Sequence, residues 1–138
     1  MAKQLTSSIS KETLNKIIIE GKADVLVQEA DALGEQLVKQ KLTTSQIRAI
    51  FGTVRQIERR WNNERSELTP RDLILLKPKM MYRAGKEKSD KGEGLRTLAG
   101  VLNESIDLIN GQKQNFKHFV EFFEAILAYH SYHGGKES

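Results

Sequence analysis

Between Asn115 and Tyr132 the residues Phe116, Phe119, Val120, Phe122, Phe123, Ile126, Leu127 and Tyr129 spread over a wide arc of a helix, opposite Lys117, Glu121 and Glu124. Four of the chain's five phenylalanines stand here. An apolar arc that broad cannot be covered by one neighbour, so it predicts a central helix walled in on several sides.

The rest of the chain supplies the walls. Ser10 to Glu20 reads as a short helix capped by Ser10, with Leu14, Ile17 and Ile18 on one side and Gly21 as its stop. From Ala23 to Gln40, Val27, Ala30, Leu33 or Gly34, Leu37 and Val38 recur at helical spacing opposite Gln28, Asp31 and Glu35. Leu42 to Asn63 opens with a capping box, Thr43 and Gln46, with Leu42 as the staple before it. Its apolar residues Ile47, Ile50, Phe51, Val54, Ile57 and Trp61 gather on one arc. A fourth helix starts after the polar link 62–69, with Thr69 as cap, Pro70 at the first position and Asp72 in the first turn. Its run Leu73, Ile74, Leu75 and Leu76 is apolar all round and predicts a turn in the middle of the core; Pro78, lacking an N–H, predicts a kink or break. Gly85 to Gly94 has no apolar residue and reads as a mobile loop. A helix from Leu95 to Asn110 follows, ended by Gly111, and Gly134 to Ser138 reads as a frayed tail. No segment alternates as a strand would, so the expected fold is all-α: a compact bundle of about five helices with a short extra helix at the N-terminus.

A chain of 138 residues makes one domain, 1–138, with 1–22 and 134–138 peripheral. No apolar run approaches the roughly 20 residues of a membrane span, and the first residues lack a signal peptide's apolar stretch. With no cysteine, disulfides and thiolate metal sites are excluded, in keeping with a cytoplasmic protein.

Charge is the informative part of the composition. The formal net charge is only +4, but Lys39 to Lys91 holds 14 basic residues against 6 acidic ones, +8, leaving −4 for the rest. Arg48, Gly52, Arg55 and Arg59 fall on one narrow stripe of the third helix, away from its apolar arc. Guanidinium groups in a row suit a phosphate backbone, because each binds phosphate oxygens through two N–H groups and stays charged. Lys77, Lys79, Arg83 and Lys86 extend that basic track, and Tyr82 is a candidate for stacking on a base.

Catalytic patterns are scarce. His118 and Glu121 are three apart and His130 and His133 lie near the same helix end, but a two-metal helical bundle needs Glu-x-x-His pairs that this chain lacks. His130 falls within the Phe-rich arc, where a hydrogen-bonded core histidine is expected. Gly134, Gly135 and Lys136 mimic the end of a phosphate loop, but Glu137 stands where Ser or Thr is required. The residues point to a non-enzymatic protein without cofactors: an RNA-binding module or, alternatively, a protein-interaction bundle whose basic face, with Met80 and Met81, meets other proteins.

The blocks Leu42 to Glu58, Leu73 to Lys86 and Phe119 to His130, in this order and spacing, resemble the small helical subunit of type III-A CRISPR effector ribonucleoproteins, the Csm family. The resemblance implies a helical bundle without catalytic activity, present in several copies beside the repeated backbone subunit and near the large subunit. There it would help hold guide RNA and target RNA in an open form. Carried onto this sequence, the RNA-facing residues would be Arg48, Arg55 and Arg59 with Lys77, Lys79 and Arg83.

Overall fold

A computed structural model of the chain describes residues 7–62, 70–86 and 92–138. Among these residues there are six helices, α1 (Lys11–Ile18), α2 (Ala23–Lys39), α3 (Thr44–Asn62), α4 (Arg71–Lys86), α5 (Glu93–Ile109) and α6 (Lys113–Tyr132), and no strand. The all-α bundle read from the periodicity is what forms. The cap read at Thr69, residues 63–69 of the link and residues 87–91 of the loop read at 85–94 lie outside the described residues; the described ends of that loop are helical instead, Gly85 and Lys86 closing α4 and Glu93 and Gly94 opening α5.

Helix starts follow their caps. Ser10 accepts the Thr13 N–H at 3.1 Å and opens α1. At α3 the capping box closes in both directions: the Gln46 N–H donates to Thr43 Oγ1 (3.2 Å) and the Thr43 N–H to Gln46 Oε1 (3.0 Å). Asn110, at φ 47, and Gly111, at φ 73, turn the chain after α5. Asn115 of α6 then donates to the carbonyls of Leu108 and Ile109 at the end of α5, and the Gln112 N–H also donates to Ile109.

The Phe-rich helix is the centre. α6 packs on α1, α2, α3 and α5, every helix except α4. Phe116, Phe119, Phe122 and Phe123 are buried, and a chain of ring contacts runs from Trp61 through Phe116 and Phe119 to Phe123 and on to Phe51, locking α3 to α6. The α2–α6 contact is closest at Gly34, where a Cβ would stand 2.8 Å from the His130 backbone nitrogen and 2.8 Å from Tyr129 Cβ. His130 is fully buried and its Nε2–H donates to the Leu42 carbonyl at 2.6 Å, the core role expected for it.

Four expectations are corrected. The buried stripe of α2 runs through Leu26, Ala30, Leu33, Gly34 and Leu37, so Val27 is exposed. In α4 only Leu73 and Leu76 of the four-residue run are buried, while Ile74 and Leu75 face outward, because among the described helices α4 packs on α3 and α5 alone and an edge helix cannot bury its whole circumference. Pro78 does not break α4, which is one helix from Arg71 to Lys86. The described ends of the chain are tied to the bundle, although Gly134, Lys136, Glu137 and Ser138 are exposed. Leu14, Ile17 and Ile18 are fully buried, and in place of a frayed tail the carbonyls of Lys136 and Glu137 accept the N–H groups of Thr44 (2.8 Å) and Ser45 (3.1 Å). Those are donors that the first turn of α3 leaves open.

Candidate nucleic-acid interface

α3 carries the best ordered set of cations. Ile47, Ile50, Val54, Ile57 and Trp61 bind one side of the helix into the core, which turns Arg48, Arg55 and Arg59 into solvent on the other. At 1.5 Å per residue the three span about 16 Å. Gly52 lies in the same stripe with nothing within 4 Å of where its Cβ would be, so this part of the face is open down to the backbone. The Arg55 guanidinium sits 5.9 Å from the Phe51 ring centroid and 3.0 Å from Glu58, which fixes its direction. Arg48 pairs with Glu137 of the tail at 3.3 Å. Arg59 has no ion-pair partner among the described residues. The Arg48–Glu137 pair is largely exposed, and exposed pairs contribute at most about 1 kcal/mol, so an incoming phosphate can displace Glu137; Glu58 is the more covered of the two carboxylates.

The cations of α4 are divided between two flanks. Lys77 leans toward α5 and pairs with Asp107 at 2.5 Å. Lys79 and Arg83 point the other way and line a shallow groove of about 140 Å³ against α3, together with Ile50, Thr53, Leu76 and Met80. Neither is ion-paired among the described residues.

The two basic groups therefore do not form the single track read from the sequence. Thr53, which faces the groove, lies about 140° around the α3 axis from the mean direction of Arg48, Arg55 and Arg59. Lys79 and Arg83 flank α3 on one side and the arginine stripe on another.

Sequence reasoning missed two partners of this surface. Arg60 is held by Asp72, an ion pair that ties α3 to the first turn of α4. Glu137 reaches Arg48 across 89 positions of sequence, and no local pattern announces such a contact. Elsewhere the histidines are committed to structure. His118 donates from Nδ1 to the Ile18 carbonyl at 2.8 Å, and His133 Nε2 lies 2.6 Å from Asp31. Among the described residues no group of three or more His, Asp or Glu is placed to hold a metal ion, and no helix is long and apolar enough to cross a membrane.

Comparison with curated proteins and with solved structures finds no match. A protein-family model does match: Csm2 Type III-A, over residues 20–136, which takes in α2 to α6 and every cation described above. The chain belongs to the Csm2 family of type III-A CRISPR complex subunits.

Proposed function

We propose that the chain is a non-catalytic RNA-binding subunit of a type III-A interference ribonucleoprotein, working in the cytoplasm in several copies and gripping the guide and target RNA backbone without reading sequence. The observation that carries the reading is the stripe of Arg48, Arg55 and Arg59 on the exposed side of a helix whose other side is locked into the core. A rigid row of guanidinium groups contacts phosphates, which repeat identically along any RNA, so such contacts carry no base sequence. Lys79 and Arg83 form a second, separate contact, and Lys77 contributes when an RNA phosphate replaces Asp107. The backbone and large subunits are the expected protein neighbours, and the reactions of the complex belong to them.

The test is RNA binding by the assembled complex carrying Arg48→Glu, Arg55→Glu and Arg59→Glu. Binding should weaken equally for unrelated sequences, and the dependence of log K on log salt should flatten by about 0.7 per lost phosphate contact. Unchanged affinity and an unchanged salt slope in a correctly assembled complex would refute the reading. The alternative, a scaffold subunit whose basic face meets acidic protein, has its own support in the carboxylates already held by Arg48, Arg55 and Lys77. Crosslinks from positions 55 and 79 to protein and none to RNA would favour it.

A further inference from the structure

The segment after α6 folds back onto one end of the arginine stripe. Gly134, at φ 93, turns the chain, and the Gly135 N–H donates to the His130 carbonyl at 2.9 Å. Gly135 lies against the His130 ring, where a Cβ would stand 2.0 Å from Cε1. From there Lys136 and Glu137 run along the first turn of α3. Their carbonyls accept the N–H groups of Thr44 and Ser45, and the Ser45 hydroxyl also donates to the Glu137 carbonyl at 2.5 Å. The Glu137 backbone is thereby fixed, and its carboxylate is delivered to Arg48 at 3.3 Å. Glu58, by contrast, belongs to α3 itself and pairs with Arg55 three positions away. A carboxylate and a phosphate offer a guanidinium the same kind of acceptor oxygens, so Arg48 cannot serve both at full strength.

This segment is a strap held at its tip and by little else. Beneath it lies a cleft of about 430 Å³, between Val38, Leu42, Thr43 and Gln46 on one side and Gly134 to Lys136 on the other. Gly134, Lys136, Glu137 and Ser138 are exposed, so burial of apolar surface does not fasten it. The hydrogen bonds at the tip are exchanged for water when the strap lifts, at small net cost each. Gly134 has nothing within 4 Å of where a Cβ would be and holds a backbone angle that only glycine adopts with ease, which suits it as the hinge.

From these contacts we infer that residues 134–138 form an autoinhibitory strap: Glu137 occupies on Arg48 the place of an RNA phosphate, and the strap lifts when RNA takes the stripe. The inference rests on the RNA reading above and adds a regulator to it. RNA that reaches only Arg55 and Arg59 leaves the strap closed, while a run of backbone long enough to reach Arg48 opens it. The apparent affinity is then lowered by the fraction of molecules in which the strap is closed.

Glu137→Gln tests the strap most directly, since it removes the charge and keeps the backbone bonds to Ser45. Binding of a uridine homopolymer RNA to the full-length chain should tighten by about two- to fivefold at low salt, the worth of an exposed ion pair. The gain should vanish in an Arg48→Gln background, because the double-mutant cycle separates the pair from the general effect of losing a negative charge. Glu121→Gln, at an exposed acid of α6, is the control for that general effect and should give a smaller gain. Gly135→Ala is the second variant: its methyl cannot coexist with the His130 ring, so it displaces the strap without altering any charge and should also tighten binding, with unchanged circular dichroism. Amide exchange followed by NMR reads the strap itself. The Thr44 and Ser45 amides should be protected in the free chain and lose protection at saturating RNA, while the Val54 amide keeps its own. Equal gains from Glu137→Gln and Glu121→Gln, a gain that survives Arg48→Gln, or Thr44 and Ser45 amides that stay protected at saturating RNA would overturn the inference. If reversal of Arg48, Arg55 and Arg59 leaves RNA binding unchanged, the reading of the stripe fails and the strap falls with it. If that reversal abolishes binding and Glu137→Gln still brings no gain, the strap alone fails.

Discussion

Gly52 offers a test in which one substitution should move stability in a known direction. It lies in the ninth position of a 19-residue helix, is exposed, and has no atom within 4 Å of the point where a Cβ would project. Glycine inside a helix costs about 1 kcal/mol relative to alanine, because the unfolded chain loses more freedom when it is fixed. With no steric opposition, Gly52→Ala should recover that full amount. For a chain of 138 residues this raises the melting temperature by about 3–5 °C. Gly34→Ala is the internal contrast, since it gains the same propensity but drives a methyl to 2.8 Å from the His130 backbone nitrogen and Tyr129 Cβ, forcing α2 and α6 apart. Overpacking of that kind costs about 1–3 kcal/mol, so its net effect should be destabilising. Thermal and urea denaturation of the two variants beside the parent chain measure both effects. A neutral or destabilising Gly52→Ala would refute the assignment of this stripe as an open helical face. The same samples bear on function: a variant that is more stable yet binds RNA less well would put the ligand against the backbone between Arg48 and Arg55.

Two further substitutions probe the frame that holds the surface. His130→Ala removes the only side chain bonded to the buried Leu42 carbonyl among the described contacts and leaves a cavity, and should cost about 2–4 kcal/mol in urea denaturation; a loss under about 1 kcal/mol would show that the hydrogen bond at this α2–α3 corner is dispensable. Pro78→Ala restores an N–H within an uninterrupted helix and should raise stability by about 1–3 kcal/mol; an unchanged or lower denaturation midpoint would mean that the proline ring makes contacts worth more than the missing bond.

What could be read from the sequence was what neighbours in the chain decide. Ser10, the Thr43–Gln46 box and Asn110–Gly111 act through residues within four positions of themselves, and each does what its pattern implies. The stripe of Arg48, Arg55 and Arg59 was equally legible, because helical phase alone sets it opposite Ile47, Ile50 and Val54. Relations between helices were not legible in this way. Whether Ile74 and Leu75 are buried depends on how many helices surround α4, and a run of four apolar residues looks the same at the centre of a bundle and at its edge. Whether Lys79 and Arg83 continue the α3 stripe depends on which side of α3 receives α4, and Thr53 and Ile50 show it to be the other one. Arg48 meets Glu137, Arg60 meets Asp72 and Lys77 meets Asp107 across distances in sequence where charge alone names many possible partners. The error at Ile74 and Leu75 is the informative one. A bundle this size could have drawn both residues inward by placing one more helix over α4, yet among the described helices only α3 and α5 lie beside it. Apolar side chains gain from burial only where the fold brings cover to them, so the edge position of α4, and not the composition of its run, decides that Ile74 and Leu75 face outward.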